Sequence, residues 1–384
     1  MRILFLNPFH GGSHAAVAEG YARHSRHQVT LLTLSQAGGW RWRMRGAAVT
    51  LARALREQHA GTRYDLVLAT DMLDLATFLG LARDQLAGAR SVLYFHENQL
   101  TYPLPPGRKR DLAFPWINYT GALAADAVCF NSAFHQRALL AALPGLMGRY
   151  HDHQERDLVD AIASKAHVLP PGIDLARLDP PIEHQGWRIE VGAEQSAIFP
   201  PRASNHRPVP VLLWNSRWEY DKGPAEFFAA LQALEARGVD FRVIALGEHI
   251  DPREPHFLAA REWLGERALA WGYAPDLAAY RARLWESDIV VSCAVQEFFG
   301  ISVIEAIYCG CVPLLPRRLS YPELLPPAIH ADCLYEEGTL ADRLQDMIAR
   351  LPELRRHDLR AVAAPYDWAV LAPRYDSLFE QICG

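Results

Sequence analysis

The chain has 384 residues, half of them hydrophobic and 22% charged, with a net charge of −5. That length exceeds what one hydrophobic core ordinarily serves, so two domains are expected. The acidic balance argues against a general nucleic-acid binder but leaves room for a local basic patch. No apolar run approaches the roughly 18 residues of a membrane span, and the opening MRILFLNPF reads as a first strand rather than a secretory leader. No membrane partner is expected, and the expected location is the cytoplasm.

In chain order, Ile3 to Leu6, Val29 to Leu34, Leu66 to Ala69, Val92 to Phe95 and Ala127 to Phe130 are short apolar runs, each followed by a helical pattern. This alternation predicts a parallel sheet with both faces covered. From Pro170 to Pro210 the chain carries PPGID, LDPP, FPPR and RPVP, which resist helix and central strand alike. A second series then begins: VLLWN, FRVIAL, ALAWGY, DIVVSC and VPLLP. Near the end, Trp368, Leu371, Tyr375, Leu378 and Phe379 recur at helical spacing and predict an amphipathic helix docked on the body.

The expected fold is therefore α/β, with two doubly wound Rossmann-like domains facing each other across a cleft. The boundaries read as 1–180, a linker over 181–209, a second domain over 210–362, and a final helix over 363–384 with a possible return to the first domain. The six cysteines show no zinc-ligand spacing, Cys309 and Cys311 being the only close pair, so buried free thiols are expected.

Chemistry is expected where loops leave the C-terminal ends of parallel strands. After the first strand, NPFHGGSH offers Gly11 and Gly12, whose backbone N–H groups can approach an anion, and Ser13, which can cap the following helix. After the fourth comes YFHENQLTYP, where His96, Glu97, Asn98 and Gln99 bring donor, acceptor and acid–base capacity. Ser132 in FNS is expected to cap a helix.

In the second half, WNSRWEYDKGP sets Arg217 and Lys222 beside a helix start, where two cations suit a diphosphate and the charge growing on a leaving group. No glycine-rich Walker loop accompanies them. Downstream, Gln296 and Glu297 precede a glycine turn, and Glu305 falls inside the next helix. A carboxylate there suits the two adjacent hydroxyls of a ribose.

Arg217 with Lys222, followed by Glu297 and Glu305 across seven residues, resembles the donor-site signature of GT4-type retaining glycosyltransferases. NPFHGGSH, WRWRMR, TDMLDL, LYFHENQLTYP and FNSAFH together resemble the tRNA-queuosine mannosyltransferase family. The likeness runs from residue 1 to about 180 and resumes over the second domain and the final helix. It implies a GT-B fold, GDP-mannose as donor, a queuosine hydroxyl of a tRNA anticodon as acceptor, retained α-configuration and no metal. The sequence has no Asp-X-Asp pair for a metal. The insertion-like EHQGWRIEVGAEQSA departs from the family pattern.

On this resemblance Arg217 and Lys222 hold the diphosphate, and Glu305 the ribose. The backbone from Phe298 through Phe299 and Gly300 to Ile301 meets the phosphates, while Gln296 and Glu297 orient the hexose. Gly11, Gly12 and His96 approach from the first domain, and His96 or Asp71 positions the acceptor hydroxyl. Trp40, Arg41, Arg43 and Arg45 of WRWRMR and the Arg108–Arg110 run are the RNA contacts expected, alongside Ser13, Glu97, Asn98 and Gln99. Two other readings fit the residues: the same donor chemistry with a lipid, polysaccharide or small-molecule acceptor, and a catalytically idle binder of RNA or sugar nucleotide.

Overall fold

The computed structural model describes residues 1–104, 107–180, 209–248 and 255–384. The linker expected over 181–209 lies outside these residues except for Val209, as does EHQGWRIEVGAEQSA. The chain divides into two compact units. The first comprises Met1–Asp174, Gln296–Ile301 and Pro365–Gly384; the second comprises Leu175–Val295 and Ser302–Ala364.

The first unit is a parallel six-stranded sheet of β1 (Arg2–His10), β2 (Gln28–Ser35), β3 (Leu66–Thr70), β4 (Arg90–Phe95), β5 (Ala127–Phe130) and β6 (Ala166–Val168), in the order β2-β1-β3-β4-β5-β6. Its helices are α1 (Gly12–His24), α2 (Trp40–Gln58), α3 (Leu75–Ala82), α4 (Ala113–Ala124), α5 (Ala133–Met147) and α6 (Leu158–Ser164).

The middle strands are apolar at their centres because successive side chains serve two cores, one on each face. Leu4, Leu6, Val67, Ala69, Leu93, Phe95, Val128 and Phe130 pack with residues of α2, α3 and α5. The alternate residues Ile3, Phe5, Leu66, Leu68, Val92, Tyr94, Ala127 and Cys129 pack on the other face. Register keeps these rows intact: Phe5 lies opposite both Leu31 and Leu68, Leu68 opposite Val92, and Val92 opposite Ala127.

The second unit repeats the scheme with β7 (Val211–Asn215), β8 (Arg242–Leu246), β9 (Ala268–Gly272), β10 (Ile289–Val291), β11 (Val312–Pro316) and β12 (Leu334–Tyr335), in the order β12-β11-β10-β7-β8-β9. Its helices are α7 (Pro224–Ala236), α8 (Pro255–Leu264), α9 (Leu277–Glu286), α10 (Ile301–Tyr308), α11 (Tyr321–Leu324), α12 (His330–Cys333), α13 (Leu340–Leu354) and α14 (Leu359–Ala363). In both sheets the strand order reverses beside the first strand, between β1 and β3 and between β7 and β10. Ligands of open α/β sheets bind at such reversals.

The last helix, α15 (Trp368–Cys383), belongs to the first unit. Its Trp368, Leu371, Tyr375 and Phe379 pack with α1 and the strand face of Ile3 and Phe5. Trp368 fits because two neighbours lack side chains: a Cβ on Gly20 would lie 2.0 Å from the indole, and one on Gly172 2.2 Å from it. Asp376 is buried on the same face, accepting from the Tyr21 hydroxyl (2.9 Å), Ser25 Oγ (2.6 Å) and the Arg26 backbone N–H (2.9 Å).

Five of the six cysteines are buried free thiols and Cys383 is half-buried. Ser13 does not cap α1. That helix starts at Gly12, with Gly11 at the cap position and no side-chain cap, so Ser13 sits exposed inside the first turn. Ser132 does cap α5, accepting from the His135 N–H at 3.0 Å. Among the described residues no helix is long and apolar enough to cross a membrane.

Candidate active site

In the first unit the predicted residues gather at the C-terminal ends of β1, β3 and β4. Asp71, 1% exposed, follows β3 and accepts the His96 backbone N–H at 2.8 Å, which ties the end of β3 to that of β4. Asn118 of α4 braces the same point: its amide donates to the Asp71 carbonyl (3.0 Å) and its carbonyl oxygen accepts the Gln99 N–H (2.9 Å). Gln99 in turn donates to Glu97 at 2.8 Å. Asn98 is fully buried, and its side chain is spent inside the loop on the N–H groups of Leu100 (3.0 Å) and Thr101 (2.8 Å).

Three imidazoles converge here. The His14 ring, brought in by the Gly11–Gly12 turn, lies 4.3 Å from that of His96. His135 is wholly buried, shares a 2.8 Å hydrogen bond between its Nδ1 and Asn131 Oδ1, and stacks on Phe298 at 3.9 Å. Asn131 closes the set by donating to the His96 carbonyl at 2.8 Å.

Burial holds His96 well below the ordinary imidazole range, with charge on His14 and His135 adding to the effect, and holds His135 at about 3. Both rings are therefore neutral near pH 7. Burial raises the Asp71 carboxyl well above its ordinary value, and the neighbouring Glu97 charge raises it further. Asp71 Oδ2, His96 Nε2 and His135 Nε2 are buried without a hydrogen-bond partner among the described residues. Leaving such atoms unpaired is costly.

In the second unit Arg217 and Lys222 lie on the loop leaving β7, beside the strand-order reversal. Two glycines set that loop, Gly223 within it and Gly247 just after β8 beside it. Gly223 has φ +70, and a Cβ there would lie 2.4 Å from the Cys293 carbonyl oxygen; one on Gly247, at φ +156, would lie 2.0 Å from that of Ser216. Both contacts are to backbone, so no side chain can be accommodated at either position. Val295 N–H donates to the Asp221 carbonyl at 2.9 Å, fixing the β10 loop against the β7 loop, and Arg318 Nε, beyond β11, donates to the Ala294 carbonyl at 3.0 Å.

Each cation has an acid beside it, Arg217 with Glu219 at 3.1 Å and Lys222 with Asp221 at 3.4 Å. The cations are thus held partly compensated, a feature the sequence reading did not weigh. Glu219 is raised by burial, against the lowering effect of Arg217.

Glu305 lies on α10, 5% exposed. It forms an ion pair with Arg177 and accepts from the Tyr280 hydroxyl at 2.7 Å. Sequence reasoning missed both partners, which lie 128 and 25 residues away with no motif to mark them. The segment Gln296–Ile301 clusters with the first unit. Within it the Glu297 carboxylate accepts the Phe299 N–H at 3.2 Å.

The two basic runs of the first unit meet on one surface. Arg45 pairs with Asp111 at 2.5 Å and lies over the Phe114 ring at 5.0 Å, a ring that Trp40 also contacts at 5.0 Å. Arg43 donates to the carbonyls of Ser35 and Ala37, so Arg43 and Arg45 brace the start of α2. Arg41, Arg108 and Lys109 are exposed, and Trp42 presents 48% of its surface. Arg110 turns inward to the carbonyls of Gln99 and Tyr102, joining this surface to the loop after β4.

A family model described as tRNA-queuosine alpha-mannosyltransferase N-terminal matches residues 2–173, and one described as glycosyl transferases group 1 matches residues 200–365. The chain is 32% identical over 356 residues to a tRNA-queuosine alpha-mannosyltransferase of Drosophila melanogaster, covering 92% of this chain and 88% of that protein. It is 25% identical over 215 residues, 52% of each chain, to a GDP-mannose:cellobiosyl-diphosphopolyprenol alpha-mannosyltransferase of Xanthomonas oryzae pv. oryzae. The catalytic domain of starch synthase IV from Arabidopsis thaliana, solved with ADP and acarbose, superposes with a TM-score of 0.71 at 12% identity, covering 100% of this chain and 99% of that one. That likeness shows the fold, which is of the GT-B class.

Proposed function

This chain belongs to the tRNA-queuosine alpha-mannosyltransferase family, and from that premise we propose that it transfers mannose from GDP-mannose to the queuosine of a tRNA anticodon, with retention of configuration. The structural observation that carries the donor half is the loop after β7, which bears Arg217 and Lys222 at the strand-order reversal and is packed through Gly223 and, after β8, Gly247 directly onto backbone. The donor named for the Xanthomonas relative supports GDP-mannose.

In this reading Arg217 and Lys222 bind the diphosphate and stabilise it as it leaves. Glu305 takes the ribose, Gln296 and Glu297 orient the mannose, and N–H groups from Phe298 to Ile301 meet the phosphates. Gly11 and Gly12 offer backbone N–H groups at the end of β1. The bond from the anomeric carbon to the diphosphate breaks, the acceptor oxygen bonds on the same face, and its proton passes to the leaving phosphate. His96, neutral and braced through its backbone by Asp71, positions the acceptor hydroxyl. Asp71 is covered and acts through that brace.

The reaction is proposed to need no metal, since two cations serve the diphosphate. Incubation with GDP-mannose and tRNA, followed by mass spectrometry of the nucleosides, is expected to give mannosyl-queuosine from queuosine-containing tRNA alone, undiminished by EDTA. Transfer to no tRNA would overturn the acceptor. Activity lost on chelation and restored by Mn²⁺ would overturn the metal-free mechanism.

The RNA contacts are assigned to Arg41, Arg108, Lys109 and Trp42, because Arg43 and Arg45 are spent on the protein itself. Cations on phosphate make binding salt-dependent, with a slope of about 0.7–0.9 in log K per log salt for each contact. Replacing Arg41, Arg108 and Lys109 by Ala is expected to reduce the slope for tRNA by up to about 2–3, at about 0.7–0.9 per cation, and to leave GDP affinity unchanged. Titrations of tRNA at several salt concentrations measure this, and an unchanged slope removes the assignment.

A further inference from the structure

Glu305 is held by more than its ion pair. Asn215, at the end of β7, donates from Nδ2 to the Tyr280 hydroxyl oxygen at 2.8 Å, and the Tyr280 hydroxyl donates to Glu305 Oε2 at 2.7 Å. The same Asn215 Nδ2 donates to the carbonyl of Ser302 at 3.0 Å. Ser302 and Glu305 share α10, so the chain of bonds leaves that helix through Ser302 and returns to it through the carboxylate. Arg177, on the short turn Ala176–Leu178, takes the other oxygen, Oε1.

The direction of each bond is determined. An amide nitrogen only donates, so the phenol must accept from Asn215 and spend its own hydrogen on Glu305. Burial, and then the Glu305 charge, raises the Tyr280 phenol well above its ordinary range, so it remains a donor. A carboxylate has about four lone-pair positions, two on each oxygen. Arg177 and Tyr280 each use one, on different oxygens. One position stays on each oxygen, the number that two donors on adjacent carbons require. With its carboxylate turned, Glu305 would offer no such pair.

We propose that Tyr280 and Arg177 are positioning residues that present Glu305 to a cis-diol, and that through it they set the preference of the second unit for a ribonucleotide over its dideoxy counterpart. The inference rests on the reading that Glu305 takes the donor ribose. It adds that selectivity for the diol depends on two residues that need not touch the nucleotide.

The test is calorimetric titration of GDP and of 2′,3′-dideoxy-GDP into the full-length protein, its Tyr280→Phe variant and its Arg177→Gln variant. Tyr280→Phe keeps the ring and deletes one hydroxyl; Arg177→Gln keeps a donor and removes the charge. Wild type is expected to favour GDP tenfold or more, and each variant to bring that ratio within about threefold. Loss of stability alone would weaken both ligands together and leave the ratio in place. Variants that retain the wild-type ratio overturn the positioning role while Glu305 keeps the ribose. A wild type that binds both nucleotides alike overturns the ribose reading itself, and this inference with it.

Discussion

Replacing Arg217 and Lys222 together by alanine is expected to lower turnover on the order of a hundredfold or more, the usual loss when preorganised charge is taken from a developing anion. The effect belongs to the chemical step because a diphosphate gains charge as its bond to the sugar breaks, so a fixed cation interacts more strongly with the transition state than with the bound donor. Each of these cations stands beside an acid, Glu219 or Asp221. Removing the cations therefore also leaves these acids uncompensated on the loop.

Folding should suffer unequally. The Arg217 side chain is 44% exposed, whereas that of Lys222 is 9% exposed beside the buried Asp221. Arg217→Ala is thus the cleaner probe, and Lys222→Met a gentler change than Lys222→Ala. Single-turnover rates with saturating GDP-mannose, read beside thermal unfolding, separate the two effects. Near-normal turnover in a folded double variant would remove the donor assignment.

Stability in acid should fall steeply, and the fall should trace to the buried imidazoles of the first unit. His135 titrates at about 3 and His96 well below its ordinary range, while both titrate near 6.5 in the unfolded chain. A depressed value in the folded state means that the unfolded chain binds more protons below pH 6.5. Stability therefore rises with pH up to that point and is lost as pH drops, by as much as about 1.4 kcal/mol per pH unit for each ring.

Asp71 acts in the opposite sense. Its raised carboxyl keeps a proton in the folded state that the unfolded chain releases above about pH 4, so it offsets about one ring's worth of slope until its own folded-state titration. Urea denaturation between pH 4.5 and 7 should show His135→Gln with a shallower slope, by up to about 1.4 kcal/mol per unit at the acid end, and Asp71→Asn with a steeper one. Equal slopes for His135→Gln and wild type would mean that His135 is protonated, or not buried, in the folded protein.

Much of the fold was legible in the sequence because its signal is local. Every apolar run read as a strand is one, since the middle strands are buried on both faces and send alternate side chains into two cores. The loops singled out do leave the C-terminal ends of β1, β4, β7 and β10, because in a parallel sheet chain order dictates at which end a loop emerges. Capping was less legible. Ser132 and Ser13 look alike in sequence, yet only Ser132 occupies the cap position, because the Gly11–Gly12 turn starts α1 one residue before Ser13.

Sequence alone thus determined the two parallel α/β sheets, the order of their elements and the residue types carried at their strand ends, all of which follow from periodicity and from short-range steric rules. Partnership was left to tertiary structure. Periodicity specifies that a face is buried, not what covers it. That Trp368 enters a slot between Gly20 and Gly172, that His135 stacks on Phe298, and that Glu305 is shared by Arg177 and Tyr280 depend on packing between segments far apart in the chain. A buried charge must be compensated by whichever partner the fold brings within reach, and only the folded chain brings Arg177 to Glu305.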